Sequence, residues 1–154
     1  MKNLVRKILF PILCSVVLCL SGCNKVKDIK VTSFVVENVV LNGMRGMTAY
    51  VAVGVDNPAF MVNLSEIEGA LELSGKVLGR VAVDPFTLHA RSAEVYHLKA
   101  IISIEPGVTL SELAVLLDKQ TLYQCMVDVS VRATLKGGVS KLLKFNDIPV
   151  KNLI

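Results

Sequence analysis

His89 and His97 are the side chains in this 154-residue chain best suited to move a proton near neutral pH. No His-x-x-x-His or Cys-x-x-Cys spacing gathers ligands around either, so no metal site is expected. His97 alternates with Val95 and Lys99, opposite Tyr96 and Leu98, and reads as a solvated histidine on a sheet's polar face. His89 stands before a turn, in place either to meet a partner or to end a strand. Glu66, Glu68 and Glu72 fall at even spacing and so share one face of a strand as a carboxylate patch. Acid–base work would need one of them desolvated, whereas a patch in water only keeps the sheet face solvated. No serine occupies a Gly-x-Ser-x-Gly elbow, and no glycine-rich loop opens a helix to cradle phosphate. The expectation is a non-catalytic protein without a cofactor, metal or catalytic residue.

The covalent chemistry expected of this chain lies at Cys23. Lys2, Arg6 and Lys7 precede an apolar run from Ile8 to Leu20, interrupted by Pro11 and Ser15. About 13 residues is short of the ~20 that span a bilayer, so the run reads as a signal peptide and not as a permanent anchor. It ends in Leu20-Ser21-Gly22-Cys23, which resembles a bacterial lipobox: small residues before a cysteine that receives a diacylglycerol thioether and becomes the new N-terminus. Residues 1–22 are therefore expected to be the lipoprotein signal peptide, 23–28 a lipidated tether and 29–154 the folded domain. Five extended residues, Asn24 to Asp28, reach at most ~17 Å, which holds the domain close to the headgroups. Acyl chains at ~0.8 kcal/mol per buried methylene make a multiply acylated anchor effectively permanent. Asn24 replaces the Asp that retains some lipoproteins at the inner membrane, which favours the outer membrane.

Processing changes the charge and cysteine balance. Removing 22 of 154 residues leaves 132, and losing Lys2, Arg6 and Lys7 from 17 basic residues leaves 14 against 13 acidic ones. Near-neutrality without a clustered basic face argues against nucleic acid as a partner. Cys14 and Cys19 depart with the signal peptide and Cys23 is acylated, so Cys125 remains without a disulfide partner and is expected in the core.

The elements that would carry these residues are mostly strands. Ile29–Leu41 is rich in β-branched residues, and Asn42-Gly43 supplies a turn. From Met47 to Asp56 the apolar residues alternate, and Asp56-Asn57-Pro58 ends the strand. Leu64–Pro85 reads as a hairpin closed near Gly75, with a bulge at Gly79. A short strand at Phe86–Ala90 precedes a long one at Ala93–Glu105. Thr109-Leu110-Ser111-Glu112 has the Thr-x-x-Glu form of a capping box, and Leu110, Leu113, Ala114 and Leu117 follow at helical spacing. The strand signal resumes from Tyr123 to Leu135, Gly137-Gly138 turns it, and Val139–Phe145 returns. Seven to eight strands with one short helix predict an all-β antiparallel two-sheet sandwich of the immunoglobulin or fibronectin III kind, with a closed barrel as the alternative.

The run Val51-Ala-Val-Gly-Val-Asp-Asn-Pro58, then Leu64, then Leu71-Glu-Leu-Ser-Gly-Lys-Val-Leu-Gly79, then the polar turn Arg91-Ser92, resembles the late embryogenesis abundant type 2 family, also called water stress and hypersensitive response domains. The resemblance spans residues 34–145. It implies a β-sandwich associated with desiccation and other stress, several members being membrane-attached, and supplies no catalytic residues. Asn57, Pro58, Gly75 and Gly79 match as structural positions.

The expected function is that of a non-catalytic, membrane-anchored envelope lipoprotein whose β-sandwich binds a partner or protects under stress. Its membrane contact would be the lipid on Cys23, with an envelope protein as further partner. The alternative is a periplasm-facing carrier of lipid or another apolar ligand.

Overall fold

Alternation with period two dominates the chain from residue 30 onward, and in the computed structural model it produces eight antiparallel strands among the described residues, 2–21 and 29–153. The strands are β1 (Lys30–Leu41), β2 (Gly46–Asn57), β3 (Val62–Leu73), β4 (Lys76–Val83), β5 (Phe86–Leu88), β6 (Ser92–Ile104), β7 (Met126–Leu135) and β8 (Ser140–Pro149). A helix, α1 (Lys2–Ser21), precedes them. Between β6 and β7 lie α2 (Leu110–Ala114), a 3₁₀ turn (Val115–Leu117) and α3 (Lys119–Tyr123).

The strands form one open sheet in the order β1-β2-β6-β4-β3-β7-β8, with β5 beside β3. The expected antiparallel β architecture makes up most of the described residues, with more helix than the one short segment expected. Where two stacked sheets were expected, however, β4 hydrogen-bonds both β3 and β6 and joins the two groups of strands. The join is short. β6 pairs with β2 along its whole length, from Ser92 to Ser103, but with β4 only from Ala100 to Ile104. Below Ala100 the sheet opens between β6 and β5, and side chains bridge the gap: the His89 amide donates to the Tyr96 hydroxyl at 3.0 Å, and the Phe86 and Tyr96 rings lie 5.7 Å apart.

One face of the sheet is buried along its inner strands. It carries Val51, Val53 and Val55 of β2, Leu98, Ala100 and Ile102 of β6, Val81 and Val83 of β4, and Val127, Val129 and Val131 of β7. In β3 the inward parity changes from Val62 and Leu64 to Ile67 and Leu71, because a bulge between Ser65 and Glu68 inserts an extra residue opposite β7. Glu66 sits in that bulge with φ +49°, and its carboxylate meets the Arg132 guanidinium at 2.7 Å. The Gly75 hairpin forms as expected, with φ +79° at Gly75. The register shift across it places Leu78, next to Gly79, as the extra residue.

The segment after β6 departs from the expected single helix. Its capping box is present: the Glu112 amide donates to Thr109 Oγ1 at 3.2 Å, and the Thr109 amide to Glu112 Oε2 at 2.7 Å. The helix tightens into the 3₁₀ turn after one and a half turns, which rotates the buried stripe onto Leu113 and Leu116 and leaves Leu110 84% and Leu117 55% exposed. Asp118 then caps α3, so Tyr123 ends a helix and Cys125 lies in the loop before β7. β8 runs four residues past Phe145, resuming its pairing after a shift near Asp147.

Candidate functional site: an apolar cleft filled by the N-terminal helix

The inner face of the sheet is closed by α1. Val5, Ile8, Leu9, Ile12, Leu13 and Val16 recur at i, i+3, i+4, i+7, i+8 and i+11 and are all buried, packed against β1, β3, β7, β8 and the 3₁₀ turn. Pro11 and Ser15 are buried as well, so the middle of the helix is enclosed around most of its circumference. The Ser15 hydroxyl donates to the Ile12 carbonyl at 2.6 Å and needs no partner from the sheet. Phe10 meets Phe34 edge-on, with ring centroids 5.5 Å apart.

Gly69, in the middle of β3, is the point of closest approach. A Cβ there would collide with the Ile12 side chain, so the glycine forms a socket into which isoleucine fits. Toward the end of α1 a residual cavity of about 20 Å³ is lined by apolar residues, among them Val16, Val53, Leu64 and Leu88. At the opposite end a wider apolar hollow of about 230 Å³ lies between Leu4, Met47 and Leu113, with the fully exposed Met44 at its rim.

The outer face carries the polar groups singled out in the sequence, dispersed. Glu68 and Glu72 line a groove of about 500 Å³ with Arg80, Asp128 and Lys144. Glu66 is drawn away into the bulge, because the extra residue there breaks the even spacing that would keep the three glutamates on one face. The carboxyl of Glu72 is pushed above its ordinary range, first by desolvation and then by the charge and hydrogen bond of Asp128. His89 and His97 lie apart and exposed, with Nδ1 of His89 2.6 Å from Glu94 and that of His97 3.1 Å from Glu37. His97 is the solvated sheet residue expected, and His89 stands at the end of the β5 segment. Among the described residues no three acidic, histidine or cysteine side chains converge as metal ligands. Cys125 is fully buried, and desolvation pushes its thiol up to about 11, which makes it an inert core residue.

Asn57 is buried and saturated: its Nδ2 donates to the carbonyls of Phe60 at 3.0 Å and His89 at 2.9 Å, and its Oδ1 accepts from the Ala59 amide at 3.0 Å. Its work is to hold the β2–β3 corner against the end of β5. Cys23 and the tether 24–28 lie outside the described residues. No helix among those described is long and apolar enough to cross a membrane.

The sequence reading missed the seating of α1 inside the fold. Leu4, Phe10, Cys14 and Val17 fill the positions between the inward ones, so the run is apolar nearly all round and has no sharp helical period to reveal a contact face. Gly69 was the available signal, a glycine in the middle of an apolar strand.

The fold and cleft together define an antiparallel β protein whose inner face accommodates a whole helix of its own chain. No family model and no curated protein matches the sequence. Among solved structures, it is similar to a crystal structure of a protein from Archaeoglobus fulgidus, with TM-score 0.43 and 10% identity over 77% of this chain and 94% of that one. It is also similar to the GAE domain of yeast GGA1, with TM-score 0.33 and 11% identity over 79% and 99% of the two chains. At these TM-scores neither likeness carries an argument about function.

Proposed function

We propose that the protein is a non-catalytic envelope lipoprotein, anchored through lipid on Cys23, whose β domain is a binding module presented at the membrane surface. The observation that carries this reading is the basic start, short apolar run and Leu-Ser-Gly-Cys sequence that end at Cys23. In this reading the two groups of strands joined at β4 and β6 act as the leaves of a sandwich. The stress-protective role follows the resemblance to the late embryogenesis abundant type 2 family, and the outer membrane is the favoured location. Cys23→Ala is expected to release the protein from sedimented membranes and to abolish the acyl mass on its N-terminal peptide. Unchanged fractionation would sink the anchor. An unaltered envelope under drying, osmotic and detergent challenge after gene deletion would count against protection.

A second reading, a carrier of lipid or another apolar ligand, draws on one feature: the inner face holds a body as large as a helix. Mass spectrometry of organic extracts from the purified protein checks it, since a carrier co-purifies with a stoichiometric apolar ligand.

A further inference from the structure

We propose that, once α1 has left with the signal peptide, the cleft takes a single apolar α-helix of a membrane-protein partner, seated as α1 is seated. This rests on the reading that processing at Cys23 removes residues 1–22. Loss of α1 uncovers the apolar surface it packs on across β1, β3, β7 and β8, including Phe34 under Phe10 and Leu64 beside Val16, and an apolar face of this kind marks an interaction site.

Three observations choose the occupant. The first is shape: α1 is enclosed on most sides between Ile8 and Val16, so the cleft has the cross-section of a helix, about 10 Å, and is wider than a lone acyl chain. The second is the Gly69 socket. A glycine in a strand interior weakens the strand, and this one makes room for one branched side chain projecting from a helix. The third is polarity. Every buried side-chain nitrogen and oxygen among the described residues already has a hydrogen-bond partner, so no polar group waits in the cleft for a phosphate or carboxylate head. A helix needs none, because its backbone groups are satisfied internally. At the mouth, Lys119 lies over the Tyr123 ring, 5.4 Å from its centroid. The expected five-residue tether keeps the cleft beside the bilayer, so that a helical segment of a partner held in the same membrane is within reach. The partner segment is therefore expected to carry apolar residues at i, i+3, i+4, i+7, i+8 and i+11, with a branched one entering the Gly69 socket.

The test uses the processed, lipidated protein in phospholipid nanodiscs and a fluorescent synthetic peptide of residues 2–21 as the probe, corrected for partition into empty discs. Saturable binding is expected, weakened about a hundredfold by Ile12→Asp in the peptide, which would bury an unpaired carboxylate. Gly69→Ala in the protein is expected to weaken the natural peptide, and Ile12→Gly in the peptide to restore binding to that variant, a coupling that simple misfolding would not produce. In cells, a photo-crosslinker replacing Val129 is expected to label an apolar helical segment of another membrane protein with the spacing above. Equal binding of natural and Ile12→Asp peptides overturns the proposal, as does crosslinking only to phospholipid or only within the chain. Lipid found on Cys23 together with absent peptide binding overturns the helix site alone, whereas a purified chain that retains residues 2–21 overturns the reading beneath it.

Discussion

Asn57 closes a corner that no backbone pairing could close, donating two hydrogen bonds and accepting one at a site without solvent. Asn57→Ala would strip partners from two carbonyls and an amide at once. The expected loss is about 2 kcal/mol, read as a lower urea midpoint with unchanged slope. Glu112 is the second residue with a measurable signature. The Lys76 ammonium at 2.7 Å, and then the Thr109 amide, hold its carboxyl down to about 2 from an ordinary 4.5. A depressed folded value means that its contribution is present above pH 4.5 and is lost as pH falls toward 2. Titration from pH 5 to 2, followed at the α2 amides, is expected to loosen that turn, and Glu112→Gln to remove this pH-dependent step. The capping box was legible in the sequence because its partners are three residues apart. The Asn57 network was not, because His89 is 32 residues away and only the folded chain brings its carbonyl near. For the same reason three evenly spaced glutamates looked like one patch, until the bulge at Glu66 divided them.

At the level of elements, strands were legible wherever alternation is local, as in β2, β6 and β7. The helix after β6 was legible at its start and not in its course, since the change from α to 3₁₀ geometry depends on how Leu113 and Leu116 meet the core. How the strands assemble was beyond a pattern reading, because alternation states which face is buried and not which neighbours pair. The seam between β4 and β6 is the consequential case: five residue pairs, Gly79 with Ile104 through Val83 with Ala100, unite the two groups of strands. Ala82→Pro in this central strand is expected to cost about 3 kcal/mol or more. Hydrogen exchange should then show protection lost first at residues 79–83 and 100–104, with the β3–β7 pairing retained longer. Uniform loss across the sheet would show that the seam is not the weak point.

For the whole molecule, the cleft turns on a segment that the proposed processing removes and the fold uses. Residues 2–21 have the basic start and apolar run expected of an export signal, yet they also supply six buried aliphatic side chains to the core. Composition made the first of these patterns readable. The second was hidden, because a run apolar on nearly every side points nowhere in particular. The strand order has a consequence for time as well as for space. β2 must find β6 35–57 residues downstream, and β3 must find β7 still farther off, 54–73 residues away, so neither pairing can form until most of the chain exists. Contacts so distant in sequence close slowly. A chain that cannot finish its sheet early stays threadable, a delay that the proposed export across a membrane would use.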